Sequence, residues 1–87
     1  MRDILMIFAD QVRDARSKLQ SELNDDERSY LYHRMNGSAK GVGAFQLATV
    51  AEMAENDPGN DHWVKEMQDA LDAAEAAAQT LLQADMS

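Results

Sequence analysis

The chain has no cysteine, one proline and four glycines among its 87 residues. Without cysteine it can form neither a disulfide framework nor a thiolate metal site. No apolar run approaches the roughly 18 residues that a membrane span needs, and no stripe of lysine or arginine offsets the formal charge of -8. A surface of this charge is repelled by nucleic-acid phosphates. We therefore expect a soluble, cytoplasmic protein that binds neither nucleic acid nor membrane.

Residues with high helix propensity are plentiful, and the few breakpoints divide the chain into four amphipathic segments. Asn24 and Glu27 have the spacing of a capping box, Gly41 and Gly43 mark a helix end, and Pro58 lies in a turn. The pattern predicts one domain over residues 1–87, an all-α antiparallel up-down-up-down four-helix bundle. The predicted helices cover about 2–23, 25–41, 44–55 and 60–83.

The apolar positions predict which faces of these helices form the core. In the third helix the predicted apolar face is broad and contains Phe45, Leu47, Ala48, Val50, Ala51 and Ala54. In the fourth helix a 3-4 spacing, typical of packed helices, selects Val64, Met67, Leu71, Ala74, Ala78 and Leu81.

The polar face of the second helix carries His33. At about 100° per residue, Gly37 and Lys40 fall within roughly 40° of it, and Tyr30 lies near the same face. A glycine inside a helix costs about 0.5–1 kcal/mol relative to alanine, which suggests that a partner approaches the backbone there. A neutral imidazole is nucleophilic near physiological pH, and Lys40, with Arg34 further round the helix, can offset phosphate charge. This arrangement suits a histidine that accepts a phosphoryl group.

The segment around His33 resembles the core of histidine-containing phosphotransfer (HPt) domains, whose pattern is a histidine, an apolar residue, usually a lysine, a glycine, small residues and an apolar-glycine pair. The positions that match are Met35, Gly37, Ser38, Ala39, Val42, Gly43 and Leu47. The early Ile7-Phe8 pair and the acidic Asp25-Asp26 turn also fit. One position departs from the pattern, because the usual lysine three residues after the histidine is Asn36. Asparagine can hydrogen-bond a phosphoryl oxygen but brings no charge, so Lys40 is expected to compensate.

The resemblance implies a phosphorelay carrier, a monomer that is not itself an enzyme. His33 would accept a phosphoryl group from the aspartyl phosphate of a response-regulator receiver domain, downstream of a hybrid sensor kinase, and pass it to a second receiver. Asn36, Gly37, Lys40, Arg34 and Tyr30 would contact the phosphate or the partner. No cofactor is expected on this chain, since the Mg²⁺ belongs to the receiver. We also expect a free-standing carrier rather than part of a larger sensor.

Two other interpretations stay open. A degenerate HPt-like bundle would bind proteins without carrying phosphate, and Asn36 is the residue that favours it. The dimerisation and phosphoacceptor region of a sensor kinase is also helical with an exposed histidine. There, however, the histidine is usually followed by an acidic residue and soon by proline, whereas here Arg34 follows His33 and the proline is Pro58.

Overall fold

The computed structural model describes residues 2–86, and within that range it consists of four α-helices without a strand. They are α1 (Arg2–Leu19), α2 (Asp25–Gly41), α3 (Phe45–Glu55) and α4 (Asp61–Met86). Each helix packs against the next along the chain, and α1 also packs against α4. The predicted four-helix bundle is therefore confirmed.

Ion pairs on the surface show how α1 and α4 run relative to each other. Arg13 lies 2.7 Å from Glu75, and Arg16, one turn later in α1, lies 2.9 Å from Asp72, one turn earlier in α4. Arg16 also bonds to Glu75. The order of the partners is reversed, so the two helices are antiparallel.

The start of α2 has the capping box that the sequence predicts. The side chain of Asn24 accepts a hydrogen bond of 2.8 Å from the backbone N–H of Glu27, and the Glu27 carboxylate accepts one of 3.0 Å from the backbone N–H of Asn24. These bonds satisfy donors that a helix N-terminus otherwise leaves free. The helix that carries His33 therefore has a defined first residue.

The predicted first helix was too long, since α1 ends at Leu19 instead of near Leu23. Gln20 and Ser21 make tighter bonds to the carbonyls three residues back, and the hydroxyl of Ser21 also bonds to the Lys18 carbonyl at 2.7 Å. Such bonds close a helix end without a further turn. Leu23 packs against the core from the loop instead.

The other boundaries lie close to the predicted ones. α3 starts one residue late, after Ala44, and α4 extends to Met86 because the end of the chain has no glycine or proline to stop it. Residues 84–86, beyond the predicted end of the fourth helix, are therefore helical, and residue 87 lies outside the described range. Gly43 has a φ of 79°, the left-handed conformation that closes the turn between α2 and α3.

Two residues that were predicted to be in the core are exposed. Phe45 is 68% exposed, because a rotation of 100° per residue places it about 160° from the buried Leu47. Leu81 is exposed as well, because a strict 3-4 spacing drifts by about 20° per heptad around a straight α-helix. The rest of both stripes is buried or half-buried.

The four junctions between helices are not packed equally. α2–α3 and α1–α4 are the densest, and α1–α2 is the sparsest. A cavity of about 270 Å³ lies between α1 and α2, lined by Leu31 and Met35 from the core and by Tyr30 and Arg34 from the surface. Across residues 2–86, no helix combines the length and apolar character of a membrane span.

Candidate functional site

His33 projects from the middle of α2 into solvent, as the sequence predicts. Its side chain is 72% exposed, while Leu31, Tyr32, Met35 and Ala39 of the same helix are buried. The buried residues fix the rotation of α2, and that rotation turns His33 away from the core. The imidazole is therefore accessible to another molecule.

The ring of His33 is held by a residue that the sequence did not single out. Its Nδ1 lies 2.8 Å from Oε1 of Glu55, the last residue of α3. An ionised carboxylate can only accept a hydrogen bond, so the imidazole is the donor and carries its proton on Nδ1. Glu55 is 29% exposed, less than half the exposure of the ring, and it thus presents its carboxylate from a partly packed position.

This hydrogen bond decides the chemistry of the other ring nitrogen. When Nδ1 of a neutral imidazole carries the proton, Nε2 has the free lone pair. Among residues 3–84, whose side chains the structure describes, no group bonds to Nε2 of His33. The arrangement leaves a nucleophilic nitrogen on an exposed ring whose orientation is fixed from the opposite side.

The positions of His33 and Glu55 relative to the turn between α2 and α3 indicate this contact in the sequence. His33 is eleven residues before Ala44 and Glu55 is eleven after it (44 − 33 and 55 − 44), and Ala44 lies in the turn between α2 and α3. In a helical hairpin, residues equally distant from the turn lie at similar heights. The neighbours of His33 therefore include a residue of the next helix as well as residues of its own.

The surface beside His33 is bare at Gly37. A Cβ built on this glycine meets no atom within 4 Å, and the same is true of Gly41 one turn further on. Packing inside the chain therefore gives no reason for either glycine. The helix surface next to the ring is therefore open at Gly37, and the role of Gly37 in docking stays a prediction.

The two predicted cations of the site, Arg34 and Lys40, have no carboxylate partner among residues 3–84. Arg13, Arg16, Lys18 and Arg28 are all paired with acids. Among the lysines and arginines of residues 3–84, whose side chains the structure describes, those without such a partner are Arg34, Lys40 and Lys65. The first two are exposed residues of α2, and the guanidinium of Arg34 lies 5.7 Å from the centre of the exposed Tyr30 ring. Two of these three cations are thus available on the helix that carries His33.

Asn36 occupies a different environment from the other predicted site residues. It is half-buried, and its amide oxygen is buried without a hydrogen-bond partner in the described structure. Asn36 stands where the HPt pattern that this segment resembles usually has a lysine, and its amide carries no charge. The exposed cations of α2 are Arg34 and Lys40.

Neither a metal site nor a similarity to known proteins gives further information about the site around His33. In residues 2–86, no group of three or more His, Asp or Glu side chains has the geometry of a metal site. Comparisons with protein-family models, curated proteins and solved structures found no match. The assignment of the site thus depends on its own geometry and on the residue pattern around His33.

Proposed function

We propose that the chain is a phosphorelay carrier that holds a phosphoryl group on Nε2 of His33. The observation that carries this proposal is the exposed imidazole whose Nδ1 proton is held by Glu55. An imidazole in this state has its lone pair on the nitrogen that faces away from the chain. The open surface at Gly37 and the unpaired cations Arg34 and Lys40 support the same function.

The proposed phosphoryl transfer needs no general base. Nε2 attacks the phosphorus of a receiver's aspartyl phosphate, the N–P bond forms, and the P–O bond to the aspartate breaks. The aspartate leaves as a carboxylate. The proton on Nδ1 stays in place, so the phosphorylated ring is cationic, and the Glu55 carboxylate 2.8 Å away stabilises that charge. The reverse steps pass the group to a second receiver.

Each neighbouring residue has a distinct role in this proposal. Lys40 and Arg34 offset the charge of the phosphoryl oxygens. Gly37 and Tyr30 form part of the surface on which the receiver docks, and Asn36 borders it. The Mg²⁺ that such a transfer uses is bound by the receiver domain. The relay begins at a hybrid sensor kinase, and this chain needs no nucleotide.

The proposal is tested with a donor that needs no partner protein. Wild type, His33→Gln and the control His62→Gln are incubated with ³²P-phosphoramidate, and acid-labile, base-stable label is measured. We expect label on wild type and His62→Gln and none on His33→Gln. Labelled wild type is then mixed with unlabelled receiver domains to follow transfer to aspartate. Absence of label on wild type, or label that persists in His33→Gln, contradicts the assignment.

A second candidate is a protein-binding bundle that does not carry phosphate. Asn36 favours it, because the family's usual lysine is missing and the amide oxygen is buried. The same experiment separates the two, since this candidate predicts binding to receiver domains with no transfer of label.

A further inference from the structure

Arg28 fastens the turn between α3 and α4 to α2. Its Nη1 donates a hydrogen bond of 3.2 Å to the carbonyl of Pro58 and lies 3.1 Å from Oδ1 of Asp61. The turn touches α2 at a second place, where a Cβ on Gly59 would lie 3.0 Å from the carboxylate of Asp25. The position of the turn relative to α2 is therefore set by contacts with the first turns of that helix.

The fastened turn also carries Glu55. This residue is three positions before Pro58, and the bonds that follow it make the segment a single unit. The backbone N–H of Asp57 bonds to the Ala54 carbonyl at 3.1 Å, and the side chain of Asn60 bonds to that of Asp57 at 3.0 Å. A shift of Pro58 away from α2 therefore moves the end of α3, and Glu55 with it.

The usual stabilising role of an ion pair does not account for Arg28. Asp61 is 90% exposed, and ion pairs with so exposed a partner contribute little to stability. The Arg28 side chain is only 20% exposed, however, and it spends the same nitrogen on a backbone carbonyl. These two bonds therefore fix the position of the turn relative to α2, and their charge contributes little to stability.

We propose that Arg28 is a positioning residue for the phosphoacceptor. By holding Pro58 and Asp61, it keeps the end of α3 at the distance from α2 at which Glu55 accepts a hydrogen bond from Nδ1–H of His33. Arg28 itself does not contact the ring, and it acts through the turn. The inference rests on the proposed function, since the tautomer of His33 matters to a partner only if Nε2 reacts.

The test reads the tautomer directly. The ring nitrogens of His33 are observed by ¹⁵N NMR at pH 8.5 in wild type, Arg28→Met and Arg28→Lys. Methionine keeps an apolar stem without donors, and lysine restores one charged donor. The control is Arg16→Met, which removes ion pairs between α1 and α4, away from the turn.

In Arg28→Met we expect the ratio of the Nδ1–H to the Nε2–H tautomer to fall by roughly threefold or more, as for loss of a hydrogen bond of ordinary strength. Arg28→Lys should recover part of that ratio, and Arg16→Met should leave it at the wild-type value. An unchanged ratio in folded Arg28→Met overturns the inference. If Arg28→Met does not fold, Arg28→Lys decides, because lysine cannot hold both partners with one planar group. A ratio in Arg28→Lys equal to wild type then counts against the inference.

These outcomes are independent of the phosphotransfer experiment. A wild-type protein that takes no label contradicts the proposed function while the tautomer shift can still be present. A wild-type protein that is labelled, with an unchanged tautomer in the variants, contradicts only the role of Arg28.

Discussion

Oε1 of Glu55 lies 2.8 Å from Nδ1 of His33 and joins the end of α3 to the middle of α2. Through this contact one carboxylate selects the tautomer of the ring, fixes its orientation and stands ready to stabilise a positive charge on it. The bond is short and charge-assisted, a class stronger than neutral hydrogen bonds. It is therefore the first contact to test.

Replacing Glu55 should slow phosphorylation without preventing it. In Glu55→Ala the ring loses its acceptor, and we expect the initial rate of labelling to fall by about three- to tenfold, a range reduced from that of a buried charged bond because the ring is exposed. Glu55→Gln keeps an acceptor oxygen without the charge and should be intermediate. The matched control is Glu52→Gln, an exposed acid of the same helix, which should label like wild type. Equal rates in all four proteins would contradict the role given to Glu55.

Substitution of Gly37, the glycine beside His33, should change the stability of the protein in a predictable direction. Because a Cβ at Gly37 meets nothing within 4 Å, Gly37→Ala should raise the free energy of unfolding by about 0.5–1 kcal/mol, as measured by urea denaturation. Gly43→Ala is the control. It also has free space, but its φ of 79° should make the same substitution destabilising by about 1 kcal/mol.

A larger side chain at Gly37 should affect the two phosphodonors differently. Gly37→Gln should be labelled by phosphoramidate at the wild-type rate, since a small donor needs little of the helix surface. Transfer between His33 and a receiver domain should fall by tenfold or more, about 1.4 kcal/mol of lost docking energy. If both reactions change equally, the bare patch is not a docking surface.

The unpaired cations should act on the phosphoryl group rather than on stability. We expect Lys40→Ala and Arg34→Ala each to lower the transfer rate several-fold, while their unfolding free energies stay within about 0.5 kcal/mol of wild type, as is usual for surface substitutions. Lys65→Ala removes a similarly unpaired cation from α4 and is the control. An unchanged transfer rate and phosphohistidine lifetime in Lys40→Ala would refute the idea that Lys40 compensates for Asn36.

The buried phenol of Tyr32 predicts how stability depends on alkaline pH. Burial raises the pKa of Tyr32 above its ordinary value of 10.0, with Arg28 opposing the shift and Asp61 adding to it. The unfolded chain therefore loses this proton first as the pH rises through 10, and the folded state loses stability. In denaturation experiments, Tyr32→Phe should lose less stability than wild type between pH 9 and 11, the range around the ordinary phenol pKa of about 10. Tyr30→Phe, a change at an exposed residue, should follow wild type.

Much of this architecture follows from the sequence, and the exceptions have physical causes. The capping box at Asn24 and the exposure of His33 depend on local patterns, and both were predicted. Phe45 was misplaced because the predicted apolar face of the third helix was too broad, and at 100° per residue Phe45 lies about 160° from the buried Leu47. Glu55 was missed because its partner is 22 residues away, a distance at which only the register of the hairpin brings two side chains together.

The sparse packing between α1 and α2 bears on how the molecule opens. A bundle separates most easily where the fewest contacts are lost, and here those places are the α1–α2 and α3–α4 junctions. Opening along both leaves two intact hairpin-like pairs, α1 with α4 and α2 with α3. His33 and Glu55 belong to the same pair. Fluctuations that separate the two pairs should therefore expose part of the core while the hydrogen bond between His33 and Glu55 stays intact.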